Sequence, residues 1–257
     1  MRRAITGALA AGTLVAMTAA AAAKDVAVVT SGGFTAAYTE LSAGCEAATG
    51  ATLKTSLGSS MGGAPDSIPS RLARREPVDI VIMARPALDG LVKGGQAVAG
   101  SEVDLARSTI AMAVKAGAPK PDISTVEAFK RALLDAKSIA YSASASGTYL
   151  SEQAFPKLGI WDQISSKSKK IFSERVGTIV ARGEAEIGFQ QTSELIPIAG
   201  IEIVGQLPPE IQQTTVFSAG VTAGAQEPEA ARAIIACLSS PKAAPVISKT
   251  GLDPVTK

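Results

Sequence analysis

The chain has 257 residues, 46% hydrophobic and 4% aromatic, with 25 Lys and Arg against 23 Asp and Glu. That is enough apolar material for one large domain or two small ones, and a charge so near balance argues against nucleic acid or an anionic membrane as the partner. No histidine occurs anywhere, which excludes a Ser-His triad and a histidine-based zinc site.

Arg2 and Arg3 precede an Ala-rich apolar stretch that ends in Ala21-Ala22-Ala23, ahead of Lys24-Asp25. This order predicts a secretory signal over residues 1–23, cleaved near Ala23, and hence a periplasmic protein. Its removal brings basic and acidic residues into balance. No later stretch offers the roughly 20 apolar residues of a membrane helix, so the mature protein is expected not to be membrane-embedded. Cys45 and Cys237 are read as two buried thiols or as a bridge, which an oxidising compartment permits.

Val26–Thr30 predicts a buried strand, closed by Ser31-Gly32-Gly33. The helix that follows sets Phe34, Ala37, Tyr38, Leu41, Cys45 and Ala48 on one face and stops at Gly50. Thr52–Leu57 is the next strand, running into the loop GSSMGGAP, and SIPSRLARRE makes a helix with Pro69 in its first turn. Val78–Met83 is the clearest strand, and ALDGLVKGG a short helix ending at glycine. After GSEVDLARS come a strand, Thr109–Lys115, and a helix to Ala136 capped by Ser124 with Glu127 completing a capping box. Ser138–Tyr141 is a strand, Gly147–Leu158 a helix, Lys169–Phe172 a strand, Val176–Arg182 a helix and Ala185–Gln190 a strand. Strands Ile201–Gly205 and Thr214–Ala223 and helices Glu227–Ser239 and Lys242–Thr250 complete the chain. The alternation implies an α/β chain with mostly parallel sheets.

Ligands of open α/β sheets sit beyond the carboxyl ends of the strands. Four corners share that position: Ser31-Gly32-Gly33; Ser59-Ser60-Met61-Gly62; Ser144-Ala145-Ser146-Gly147; and Gln190-Gln191-Thr192-Ser193. Each supplies backbone N–H groups and short neutral donors near a helix start, a chemistry suited to anions. One such corner alone reads as a helix cap; four together point to a site. Arg85, just past the Val78–Met83 strand, is either a cleft cation able to pair with a carboxylate or a solvated arginine, and Arg175 is a weaker candidate of the same kind. The groups able to act as acid or base are Glu174, Glu194, Asp66, Tyr38 and Tyr149, each of which also reads as an ordinary surface or packing residue. SGG and GSSMGG lack dinucleotide-fingerprint spacing, and no P-loop lysine follows.

Taken in order, strand-SGG-helix, strand-SS-loop, RLARREPVDIVIMA and VARGEAEIGFQQTSEL resemble the molybdate-binding-protein-like group of periplasmic solute-binding proteins. The resemblance covers essentially the whole mature chain, and V-x-R-G-E-A-x-I-G is its most specific piece. It implies a two-lobe type II periplasmic binding protein fold with a hinged interdomain cleft: lobe I from 24–108 plus 215–257, lobe II from 109–214. The ligand set it implies is the Ser31–Gly33 turn, Ser59, Ser60, Ser146, Gly147 and the backbone at Val176. Gly33 stands where the molybdate binders have a serine, and Gln191 where they have a tyrosine. With Arg85 added, a di- or tricarboxylate such as aconitate fits better than molybdate. SGG, SMG, RLAR-x-EP, YS-x-SASG-x-Y and ARGEA-x-x-GFQQ-x-SEL are similar to the branch that includes aconitate isomerase. The leading reading is a monomeric receptor clamping a small anionic ligand, with an ABC permease as a possible partner and no cofactor or metal. The alternatives are an isomerase of cis- and trans-aconitate, whose base the sequence does not assign, and a molybdate-type oxyanion receptor.

Overall fold

A computed structural model describes residues 24–172 and 174–255; the segment 1–23, where a signal is expected, lies outside the described residues. The strands are β1 (Lys24–Thr30), β2 (Ala51–Leu57), β3 (Ile80–Ala84), β4 (Val103–Ser108), β5 (Ile110–Lys115), β6 (Ile139–Ser142), β7 (Ser168–Ile171), β8 (Ile187–Gln191), β9 (Ile201–Gln206), β10 (Thr215–Val221) and β11 (Asp253–Pro254). They form two sheets, β11-β4-β10-β3-β1-β2 and β7-β6-β8-β5-β9. The chain passes to the second sheet between Ser108 and Ile110 and returns to the first at Thr215. Among the described residues no helix is long and apolar enough to cross a membrane.

Each sheet has a parallel run of three strands at one edge, β2-β1-β3 and β7-β6-β8, because helices return the chain to the same end. The sheets are nevertheless mixed where a mostly parallel arrangement was expected. β10 runs antiparallel to both β3 and β4, and β5 antiparallel to both β8 and β9. These two strands border the crossings between sheets, and a chain that crosses and turns back enters its sheet against the grain. The sequence reading also missed β4. Its outward Asp104 and Arg107 dilute the apolar pattern, and pairing with β10 supplies the ordering that the pattern lacks.

Apolar side chains divide between the two sheets in the same way. Val26, Val28, Phe34, Tyr38, Ile80, Phe217 and Ile234 pack in the first; Met112, Phe129, Ile139, Phe155 and Phe189 pack in the second. The helix Gly32–Thr49 buries Phe34, Ala37, Tyr38 and Cys45 as its periodicity predicts. Gly50, at φ 72°, ends it by donating its N–H to the Glu46 carbonyl, a left-handed cap for which glycine is suited.

Two local readings are corrected. Thr125, not Ser124, caps the helix Val126–Asp135, its Oγ1 accepting from the Ala128 N–H at 3.1 Å. The Ser124 N–H is turned to Asp122 Oδ1, and Glu127 then falls one position short of a capping box. The single helix expected at Gly147–Leu158 instead starts at Ala145 and passes through a π segment, Leu150–Ala154. Pro156 has no N–H to give the next α-helical bond, and the wider turn closes with Phe155 N–H donating to the Leu150 carbonyl.

Cys45 and Cys237 form a disulfide between the helices Gly32–Thr49 and Pro228–Leu238. Of the two alternatives read from the sequence, the bridge is the one formed. It links residues 192 apart and so restricts the unfolded chain strongly. Replacing both cysteines by alanine should lower unfolding free energy by about 2–5 kcal/mol in a denaturant titration under oxidising conditions. Wild type treated with reductant should show the same loss.

Candidate functional site

The carboxyl ends of β1, β2, β6, β7 and β8 converge on one cleft of about 130 Å³ between the sheets. From the first sheet come Gly32 and Thr35 of the helix after β1, then Leu57, Gly58, Ser59 and Asp66 after β2. From the second come Ser142 and Ser144 after β6, Phe172, Glu174 and Arg175 after β7, and Gln190 and Glu194 at the end of β8 and beyond it. Parallel strands place their carboxyl ends, and the helix N-termini that follow, on one side of each sheet. Two lobes therefore present two such edges to each other.

Of the residues singled out from the sequence, Gly32, Ser59, Ser144 and Gln190 of the ligand set line this cleft, together with Asp66, Glu174, Arg175 and Glu194. Ser31, Gly33, Ser60, Ser146, Gly147, Val176 and Gln191 do not appear in its wall. Ser60 Oγ donates to Ser31 Oγ at 2.9 Å and accepts from the Ala84 N–H, knitting β1, β3 and the Ser59–Met61 loop together. Ser146 and Gly147 lie buried inside the helix Ala145–Tyr149. A Cβ at position 147 would stand 1.6 Å from the Ser142 carbonyl oxygen, so glycine there lets helix and strand touch. The Val176 N–H is taken by Gln190 Oε1 at 2.9 Å. Gln191 donates to Thr215 Oγ1 at 2.9 Å, a contact between the end of β8 and the start of β10.

Met61 and Arg85 line a second cavity, of about 420 Å³, together with Tyr149 and Thr215. Arg85 is bound there by Asp89 at 2.7 Å and Asp104 at 2.9 Å, and these hydrogen bonds raise its pKa. Asp104 also accepts from Ser218 Oγ at 2.6 Å. Such a neutralised guanidinium presents little net charge to a ligand. The tyrosines are engaged as well: Tyr38 OH shares a hydrogen bond with Thr55 at 2.7 Å and Tyr149 OH donates to the Ile211 carbonyl at 2.9 Å.

Glu194 is the chemically distinctive group of the cleft. It lies in the helix Thr192–Leu195, which β8 delivers against the start of the helix Gly32–Thr49. Ser193 Oγ pins this junction by donating to the Gly33 carbonyl at 2.7 Å. Glu194 Oε1 accepts from Gln190 Nε2 at 2.8 Å. A methyl group at Gly32 would sit 2.0 Å from the same oxygen, and one at Gly33 2.1 Å from the Phe217 ring. The two glycines thus leave room for a carboxyl and an aromatic ring at a helix N-terminus. Burial pushes the Glu194 pKa up to about 7. The nearby Arg175 charge and hydrogen bonds from Gln190 and the Gln191 backbone oppose that rise without cancelling it.

The other carboxylate that the second lobe brings to the cleft, Glu174, is set differently. Arg182 grips both oxygens of Glu174 and holds its carboxyl below the ordinary range. Glu194 is thus poised to exchange a proton near neutral pH, Glu174 stays ionised, and Arg175 is a cation in the wall. Leu57 and Phe172, one from each lobe, are among the exposed large apolar side chains and flank the opening. Sequence reading had Glu194 and Arg175 only as weak candidates, since neither belongs to a recognisable spacing. The one available signal was their position just after strands that end at the cleft.

Residues 26–253 match the family of bacterial extracellular solute-binding proteins. The chain is 49% identical over 228 residues to an aconitate isomerase from Pseudomonas sp., covering 89% of this chain and 87% of that protein. Solved structures share the fold. The periplasmic molybdate-binding protein of Azotobacter vinelandii superposes with a TM-score of 0.69 at 23% identity, over 88% of this chain and 98% of that one. The sulfate-binding protein SubI of Mycobacterium tuberculosis gives 0.68 at 18% identity, over 90% and 87%.

Two outcomes test this geometry. A carboxyl whose folded pKa is raised contributes stability that is full below its unfolded value of 4.5 and is lost as pH climbs through about 7. Wild type should therefore lose on the order of 3 kcal/mol between those limits relative to Glu194→Gln, measured by denaturant titrations at each pH. Gly32→Ala should displace Glu194 and lower its pKa toward the ordinary range, while the far-ultraviolet spectrum stays unchanged.

Proposed function

The chain belongs to the bacterial extracellular solute-binding protein family, and from that premise we propose that its cleft isomerises a small unsaturated polycarboxylate of the aconitate type. The observation that carries this reading is the buried Glu194 carboxyl in the wall of an anion-suited cleft. A receptor needs donors there; a buried group titrating near pH 7 is what a general base requires. The 49% identical relative is named for this reaction.

Arg175, the first turn of the helix Gly32–Thr49 and the hydroxyls of Ser142 and Ser144 would hold the carboxylates. Ionised Glu194 would take a proton from the methylene carbon. The electron pair left behind spreads over the adjoining double bond and its carboxylates. The same carboxyl then returns the proton to the far carbon, so the double bond migrates by one position and the geometric isomer forms. Protons and electrons balance within the substrate and Glu194. Closure of the lobes over the ligand, with Leu57 and Phe172 at the mouth, would exclude water and strengthen each contact. An exported, periplasmic protein fits both the family and the Arg-rich, Ala-rich start of the chain.

The second reading, a di- or tricarboxylate receptor working with an ABC permease, rests on the family itself. Proton NMR of trans-aconitate in deuterated buffer separates them. Isomerisation predicts cis-aconitate signals and exchange of the methylene protons, with Glu194→Gln slowing both by about 10²–10⁴-fold while still binding. Broadened but unconverted signals would establish the receptor, and an unaffected spectrum would reject both.

A further inference from the structure

Gln190 is buried at the end of β8, and its side chain makes two hydrogen bonds with different consequences. Its Oε1 accepts the Val176 backbone N–H at 2.9 Å, and its Nε2 donates to Glu194 Oε1 at 2.8 Å. A backbone N–H can only donate, so the first bond fixes which end of the amide faces Val176. The amino end is then committed to Glu194, and an amide nitrogen can only donate. Glu194 Oε1 therefore accepts when the carboxyl is ionised, and in the neutral form it accepts best as the carbonyl oxygen, which places the hydroxyl on Oε2.

We propose that Gln190 is a positioning residue that keeps Oε1 of Glu194 an acceptor and leaves Oε2 as the oxygen that carries the exchangeable proton. The inference deepens the isomerase reading, on which its catalytic consequence rests. A carboxyl that could protonate on either oxygen would spend part of its time with the proton turned away from the substrate carbon. Tying Oε1 to an amide that is itself tied to the backbone removes that freedom. It also links Glu194 to the helix Val176–Ala181, whose preceding residue is the wall cation Arg175. One amide thus sets the base and the carboxylate anchor relative to each other.

The charged groups that share the cleft with Glu194 are Arg175 and Glu174 from the second lobe and Asp66 from the first, with Arg182 behind Glu174. Of these, Arg175 lowers the affinity of Glu194 for its proton, as the Gln190 donor does. Removing the donor leaves burial less opposed, so the carboxyl should hold its proton to higher pH.

The test uses the full mature chain in three forms: wild type, Gln190→Leu and Gln190→Glu. Gln190→Glu keeps an acceptor for the Val176 N–H, which guards against a variant that simply fails to fold. The Glu194 titration is read from carboxyl-¹³C glutamate resonances, with Glu194 assigned by the signal that Glu194→Gln loses. Both substitutions should move its midpoint upward by about one pH unit. In Gln190→Glu the two facing carboxyls should titrate in two coupled steps. The acid limb of the trans-aconitate isomerisation rate should move with the midpoint, making either variant about tenfold slower on that limb. Unmoved midpoints in folded variants would overturn the role of Gln190, whatever the turnover. Shifted midpoints in a protein whose wild type does not turn over would uphold the positioning and reject the isomerase reading.

Discussion

The site depends on one contact between the lobes: the Glu194 carboxyl from the second lobe, buried against the first turn of the helix Gly32–Thr49 in the first. A carboxylate loses solvation when it is buried, and here the compensation is partial. Gln190 and the Gln191 backbone donate and Arg175 lies nearby, yet burial still holds the carboxyl's pKa up at about 7. Two adjacent glycines are the steric condition for this arrangement. Without Cβ atoms, Gly32 admits the carboxyl oxygen and Gly33 the tip of the Phe217 ring.

That contact also couples charge to binding. A helix N-terminus attracts either the ionised side chain or an incoming anion. Anion binding there would raise the affinity of Glu194 for its proton. Ser193 Oγ on the Gly33 carbonyl, and the Ser60 N–H on Ser144 Oγ at 3.2 Å, tie the same two lobes by polar contacts. The disulfide, by contrast, braces the two helices Gly32–Thr49 and Pro228–Leu238 of the first lobe. Rigid lobes joined by polar, breakable contacts are what a clamp requires.

The fold was largely legible in the chain because its cause is local. Val26–Thr30 and Val78–Met83 are apolar runs that only buried strands accommodate, and Phe34, Ala37, Tyr38 and Cys45 recur at helical spacing. What failed turned on particular partners, distant ones for β4 and a near one for the cap. β4 carries Asp104 and Arg107, whose roles are supplied by Arg85, Ser218 and Asp253 from distant parts of the chain. The cap at Thr125 was displaced by one residue because Asp122 competes for the Ser124 N–H.

By itself, the sequence determined that strands and helices alternate, that small polar residues follow the strands, and that no histidine chemistry is available. Those properties depend on residue type and spacing along the chain. Only the tertiary structure decided which of the many carboxylates and arginines matter. Arg85 is neutralised by Asp89 and Asp104, whereas Arg175 stands in the cleft wall beside Glu194. Glu174 is fixed as an anion by Arg182, eight residues on, and Glu194 is pressed against a glycine 162 positions earlier in the chain. A pKa is set by burial and by neighbours in space, and no spacing in one dimension encodes them.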